Sequence, residues 1–247
     1  MVLTLITILG VFIGSFLNVC IHRIPLGKSV VYNSSHCPQC RTSLKFYDLI
    51  PVVSYLVLGG KCRYCHGNIK LRYPMIELFT GVVYLVLGYK FYTDIQLLKY
   101  LFLFSVLIVI FFIDLQHKII PDGLVIIIMM WGIIWQFFTP EISWVNAIGG
   151  ALLGGGTLLV LALITEGGFG GGDIKLMFAI GMYFGVLHTL LTLFLAFITG
   201  GLFGIVLILM KGYTRKDFIA FAPFLILGIV MSILCGDFII RLYRSLW

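Results

Sequence analysis

Leu97-Leu98-Lys99-Tyr100-Leu101-Phe102-Leu103-Phe104-Ser105-Val106-Leu107-Ile108-Val109-Ile110-Phe111-Phe112-Ile113-Asp114 carries a lysine near its start, an aspartate at its end and no charge between them. A run of this length and apolarity suits an α-helix crossing about 30 Å of hydrocarbon. In lipid every backbone N–H and C=O must be satisfied within the spanning structure, and a helix does this inside a single segment. The stretch therefore sets the fold class as helical and membrane-embedded. It also stops on a carboxylate, and an ionised group at membrane depth is costly unless a partner, water or a proton offsets it.

Similar runs recur outward from this one, at 2–20, 75–91, 123–138, 144–164, 174–186, 188–210 and 218–236. The expectation is an all-α polytopic membrane protein of about eight transmembrane helices. Segment 174–186 is short, and the link from Tyr183 to His188 is brief enough that 174–210 can also be read as one long kinked helix. Of the 247 residues, 61% are apolar and 11% charged, which leaves no polar shell for a water-soluble globule. Met1–Cys20 has no basic start and no obvious small-residue cleavage site, so it reads as a retained first helix and not a secretory signal. The organisation expected is a first helix at 1–20, a polar loop at 21–74 and a multi-helix domain at 75–247.

The net charge of +7 does not point to nucleic acid. Arg23, Lys28, Arg41, Lys45, Lys61, Arg63, Lys70 and Arg72 all lie in the one polar loop, as the positive-inside bias places them. With that loop in the cytoplasm, alternation puts 115–122, 165–173 and 211–217 on the same side. Lys118, Lys175, Lys211, Arg215 and Lys216 then join the inner set, against Lys90, Lys99, Arg241 and Arg244 outside. The last two are the misfit, since a short basic tail prefers the cytoplasm. This topology brings Asp114, at the exit of the third helix, and Asp173, at the entry of the sixth, to one membrane face.

Peptide hydrolysis by two carboxylates needs one ionised, to take a proton from water, and one protonated, to polarise the carbonyl. Asp114 and Asp173 are the candidates, and neither a His-Glu-x-x-His zinc motif nor a serine elbow competes with them. Gly167-Gly168-Phe169-Gly170-Gly171-Gly172 before Asp173 is too glycine-rich for a helix and reads as an irregular loop whose backbone can approach an extended peptide. Gly170, Gly172, Lys118 and Glu77 are the candidate substrate contacts. Asp114 also has a plainer reading, as an interfacial acid paired with Lys118 one turn on. Glu77 is open between dipole complement, ion pair with Arg72 and substrate contact, and Asp122 after Pro121 reads as a helix-start acid. His188 should pack or hydrogen-bond locally, and Cys20 and Cys235 read as small packing residues.

Cys37-Pro38-Gln39-Cys40 and Cys62-Arg63-Tyr64-Cys65 stand 21 residues apart, close to the spacing with which two thiolate knuckles close a tetrahedral zinc site. Four thiolates leave no open position, so the metal is structural, one Zn2+ per chain. Disulfides or free thiols remain the alternative, and His36 or His66 can replace a cysteine. Three functional classes stay open on the residues alone: a membrane endopeptidase, a proton-coupled transporter using intramembrane acids, and a zinc-dependent adaptor without chemistry.

Several segments in order resemble the type IV prepilin peptidases, bifunctional leader peptidases and N-methyltransferases of the GxGD membrane aspartic protease class. They are Gly14-Ser15-Phe16-Leu17-Asn18-Val19 with Arg23-Ile24-Pro25, the paired cysteines, Arg72-Tyr73-Pro74-Met75-Ile76-Glu77-Leu78, Asp114 with Ile120-Pro121-Asp122, Gly170-Gly171-Gly172-Asp173-Ile174-Lys175, and Phe221-Ala222-Pro223-Phe224. The resemblance implies a multi-pass protein of the bacterial cell (inner) membrane with Asp114 and Asp173 as the catalytic pair. It implies that they cut the short basic leader from type IV prepilin or pseudopilin precursors at the cytoplasmic face, ahead of an N-terminal phenylalanine. It further implies methylation of the new α-amine with S-adenosylmethionine. The loop 21–74 is too small for an ordinary Rossmann domain, so a cofactor pocket would need membrane helices as well.

Overall fold

A computed structural model describes residues 1–32, 35–166, 168–211 and 220–245. Among them there is no strand. The long elements are α1 (Val2–Arg23), α3 (Arg72–Lys90), α4 (Gln96–His117), α5 (Asp122–Phe138), α6 (Trp144–Ile164), α7 (Gly171–Lys211) and α8 (Ala222–Ser245), with a short α2 (Val53–Val57) in the polar loop. Five of these helices, α1, α4, α6, α7 and α8, are long and apolar enough to cross a bilayer, and α5 is apolar but shorter. The chain divides into two compact units, Met1–Phe112 and Ile113–Trp247.

In the first unit α1 and α3 pack through glycine. A Cβ on Gly14 would lie 2.8 Å from the Glu77 Cα, and one on Gly10 would lie 2.7 Å from the Tyr84 ring. Gly81 and Gly88 answer from α3 against Val11 and Ile6. Between helices in lipid there is no hydrophobic drive, so close backbone approach and its dispersion gain hold such pairs, and Gly10-x-x-x-Gly14 is a pattern that permits it. Tyr84 OH and Ser105 Oγ share a 2.8 Å hydrogen bond between α3 and α4.

The second unit repeats the device. Gly150 and Gly154 of α6 meet α7 backbone: each of Gly150 and Gly181 has no room for a Cβ against the other's carbonyl, and one on Gly154 would sit 2.6 Å from the Met177 carbonyl. The same Gly154 Cβ would lie 3.0 Å from Thr189. Residues 177 and 189 would be about 18 Å apart on a straight helix, so the chain has reversed between them. The reversal is at Gly185, whose φ of 66° and ψ of −174° are not helical. Asn146 secures it by accepting the Val186 N–H (2.9 Å), and Thr189 Oγ1 donates to the Gly185 carbonyl (2.6 Å). The expected pair 174–186 and 188–210 is thus one element folded on itself as two antiparallel halves, 171–184 and 186–211. Leu158, Met177, Leu193, Ala196 and Leu225 form the core where α6, both halves of α7 and α8 meet.

Besides three-residue extensions of α1 to Arg23, α3 from Arg72 and α4 to His117, two boundaries differ from expectation. Helix α8 runs to Ser245 and not to 236, because Phe238, Ile239 and Ile240 keep the helical segment apolar and no Gly or Pro stops it. Helix α7 starts at Gly171, so Gly171 and Gly172 belong to its first turn and the irregular stretch ends at Gly170. The expected connection at 212–217, with Arg215 and Lys216, lies outside the described residues, as do Gly167 and the start of the 218–236 segment.

Candidate active site

Asp114 occupies the last turn of α4 and Asp173 the first turn of α7, both in the second unit and only 5% and 8% exposed. They are near enough for the charge of Asp114 to act on Asp173. The Asp114 carboxylate accepts the backbone N–H of Ala222, the first residue of α8. Its Oδ2 is buried without a hydrogen-bond partner. An unsatisfied buried oxygen of this kind costs roughly 1–3 kcal/mol and calls for a functional explanation. The Asp173 carboxylate takes the backbone N–H of Gly170, and a Cβ there would come within 3.2 Å of Oδ2. Gly172 serves packing, with Ile120 Cβ 2.8 Å from where its own Cβ would stand.

The segments that anchor the two acids are held together by aromatic rings. Phe169 precedes Asp173 and Phe221 precedes Ala222; their rings meet edge to face at 5.1 Å, and Phe197 stacks on Phe221 at 5.8 Å. Such contacts add about 0.5–1.5 kcal/mol each beyond area burial. Pro223 fits the first turn of α8, where its missing N–H has no helical partner to lose. The neighbouring cations divide. Lys118, in a left-handed conformation (φ 54°), donates its N–H to the Asp114 carbonyl and its charge acts on the Asp114 carboxylate. Lys175 turns from Asp173 to Asp122, at 2.8 and 2.9 Å, tying the start of α7 to the start of α5. Both partners of that pair are more than half exposed, so it stabilises by at most about 1 kcal/mol.

Glu77 lies in the first unit, 8% exposed. Its carboxylate accepts the Val52 N–H at 2.8 Å and a hydrogen bond from Ser15. Val52 has φ 61°, a strained conformation for a β-branched residue, and Glu77 is the group that secures it. Nearby, Asn18 donates to the carbonyls of Tyr73 (3.1 Å) and Gly14 (3.3 Å), linking α1 to the start of α3.

The four loop cysteines converge. All sulfurs of Cys37, Cys40, Cys62 and Cys65 lie within 4.8 Å of one another, and none is in a disulfide. Cys37 and Cys65 are 3.9 Å apart, against an S···S edge of about 3.8 Å for a tetrahedron with 2.3 Å Zn–S bonds. The knuckles are built alike. The N–H of Arg41 returns to the Cys37 carbonyl and that of His66 to the Cys62 carbonyl, each 2.9 Å, with Arg41 and His66 at φ 57° and 56°. The hydroxyl of Thr42, then its backbone, holds the Cys40 thiol down to about 6. The Gly67 N–H favours the Cys65 thiolate, but burial and the three neighbouring sulfurs outweigh it and push that thiol up to about 11. Crowded thiols that cannot all ionise by themselves fit a dication at their centre. His36 and His66 are not in the cluster.

Sequence reasoning missed the clamp on the second knuckle. Asp48 accepts from Arg63 Nε (2.7 Å), Tyr64 OH (3.0 Å) and the Lys45 N–H (3.2 Å), while Arg63 lies 5.0 Å over the Tyr47 ring. The two residues between Cys62 and Cys65 are thereby pinned to the intervening loop. An acid within an otherwise basic loop was the signal available. The glycine-on-glycine helix contacts were also legible, as x-x-x spacings at 10/14, 150/154 and 181/185.

Fold and site together define a polytopic helical membrane protein with two buried carboxylates at helix ends and a four-thiol cluster in a basic loop. Residues 8–91 match the bacterial peptidase A24 N-terminal domain and residues 101–205 match the type IV leader peptidase family. A prepilin leader peptidase/N-methyltransferase of Bacillus subtilis is 34% identical over 98% of this chain and 97% of its own length. Proteins of the same name from Pseudomonas aeruginosa and Neisseria gonorrhoeae are 32% and 31% identical, over 96% and 84% of this chain and 91% and 83% of theirs. No solved structure gives a significant match. The chain belongs to the type IV leader peptidase family.

Proposed function

We propose that the protein removes the short basic leader from type IV prepilin or pseudopilin precursors and methylates the newly exposed N-terminal residue, with Asp114 and Asp173 as the catalytic pair. Its family supports both activities, and the comparisons lend the proton-coupled transporter no support. The observation that carries the assignment of residues is the burial of both acids at the ends of separate helices in one unit, with Asp114 Oδ2 left unpartnered. One carboxylate takes the proton of the attacking water and then delivers it to the leaving amine; the other, protonated, donates to the scissile carbonyl and recovers a proton from the gem-diol as the tetrahedral intermediate collapses. A helical substrate must unwind first, because its carbonyls are already hydrogen-bonded. The Gly168–Gly170 stretch beside Asp173 gives backbone against which an unwound strand can lie, with Gly172 and Lys118 flanking it. Glu77 holds the polar loop at Val52.

The chain crosses the bilayer about eight times, counting α1, α3, α4, α5, α6, both halves of α7, and α8. The basic loop and both aspartates face the cytoplasm of a bacterial cell, as the positive-inside bias requires. Cys37, Cys40, Cys62 and Cys65 hold one structural Zn2+, which supplies a cross-link for the loop. S-adenosylmethionine is the methyl donor, and methyl transfer rests on the family relationship. The test is purified protein incubated with a prepilin precursor, with and without S-adenosylmethionine, and the product weighed by mass spectrometry. Leader loss in both samples and one added methyl group only with the donor is the expected result; an uncut precursor overturns the reading.

A further inference from the structure

Along α8 one stripe faces α7. Ala222, Leu225, Ile226, Ile229, Ile233 and Gly236 are buried, and the stripe closes on Gly236, whose Cβ would stand 2.9 Å from His188 Nδ1. One turn further the same face continues as Asp237, Ile240, Arg241 and Arg244. The second half of α7 begins at 186, just beyond Gly185, so α8 outruns its partner there. Leu187 and His188 from α7 and those four residues from α8 line an open surface cavity of about 520 Å³. His188 Nδ1 is 3.2 Å from Ser232 Oγ and its Nε2 3.5 Å from Asp237 Oδ1; Arg241 Nε donates to the Asp237 carbonyl. The Asp237 carboxylate itself is 74% exposed.

The place of this cavity in the bilayer follows from α8. Its first residue, Ala222, binds Asp114, and Arg241 lies nineteen residues on, about 28 Å along the axis, which is the thickness of the hydrocarbon layer. The cavity therefore opens at the interface opposite the aspartates. Arg241 and Arg244 stand there on the side that the positive-inside bias disfavours. Exposed Tyr243 beside Arg244 marks headgroup depth. The site combines two guanidinium forks, suited to phosphate oxygens, a carboxylate, suited to an ammonium, and an apolar wall of Leu187 and Ile240.

We infer that this cavity binds a phosphate group, and specifically the phosphodiester of one membrane phospholipid, with Arg241 and Arg244 on the phosphate, Asp237 toward an aminoethyl headgroup and Leu187 and Ile240 against the glycerol end. The test is native mass spectrometry of the full chain, delipidated in detergent and reloaded with phosphatidylethanolamine, phosphatidylglycerol or phosphatidylcholine, with inorganic phosphate as competitor. The wild type retains one phospholipid, and Arg241→Gln with Arg244→Gln lowers that retention about tenfold or more. Asp237→Asn removes the preference for phosphatidylethanolamine over phosphatidylglycerol. Displacement of the lipid by millimolar inorganic phosphate overturns the lipid in favour of a free anion, and equal retention in wild type and double variant overturns the site. Should the double variant fail to insert, Ile240→Trp fills the cavity with the arginines in place. Full lipid retention in that variant overturns the inference equally.

Discussion

Replacing Asp114 by Asn separates a catalytic from a structural role because the two predict opposite signs in two assays. The substitution keeps shape and the oxygen that accepts the Ala222 N–H, and removes the charge. It also exchanges the unpartnered Oδ2 for a neutral NH2, which is still unpaired but cheaper to bury. The gain is therefore at the low end of the cost of an unsatisfied buried polar group, about 1 kcal/mol. For a chain of this size that raises Tm by roughly 2–4 °C. Cleavage should fall by about 10²–10⁴-fold or more, the span that a positioned acid or base contributes. Thermal unfolding in detergent and mass-resolved turnover of a prepilin precursor read the two quantities on one preparation. A structural acid would give the reverse, a drop in Tm with activity lost only in proportion to unfolded protein. That outcome, or near wild-type turnover, refutes the assignment. Asp173→Asn should lower cleavage by the same span, with its contact at Gly170 retained.

Gly185→Ala places a side chain in a backbone region that glycine almost alone adopts, with its Cβ 2.6 Å from Asn146 Nδ2; strain plus the lost Asn146–Val186 hydrogen bond should cost about 2–4 kcal/mol, seen as a lower Tm, and an unchanged Tm contradicts the reversal. Metal analysis of reduced protein should find about one zinc per chain, and Cys62→Ser should lose it and expose 41–61 to protease; zinc-free wild-type protein with an intact loop defeats the site. Burial pushes the Asp48 carboxyl up, but its hydrogen bonds from Arg63, Lys45 and Tyr64 outweigh this and hold it below the usual range. A depressed native value means that its stabilisation is complete above the ordinary carboxylate value of about 4 and drains away as pH falls through the lower native one. Amide protection in residues 41–65 should therefore hold from about pH 7 to about pH 4 and decline below, while Asp48→Asn starts lower and loses that step; identical profiles for both proteins would remove Asp48 from the clamp.

The helices were legible residue by residue, since a spanning segment satisfies its own backbone and advertises itself by apolarity alone. The run ending at Asp114, the glycine run before Asp173 and the two Cys-x-x-Cys turns were likewise local patterns, and each picked out its residues without reference to the rest of the chain. What they meet was decided elsewhere. Nothing local says that the amide of Ala222 caps Asp114, that Lys175 leaves Asp173 for Asp122, or that Glu77 holds a strained Val52. The reversal at Gly185 was only half visible, because a short apolar segment fits either a kinked helix or a hairpin until Gly154 is found touching both halves. The reason is the solvent: in lipid, apolar side chains face both neighbours and hydrocarbon, so the pattern that sorts inside from outside in water is absent. Partner choice passes instead to small residues and a few polar atoms that act only when the chain brings them together.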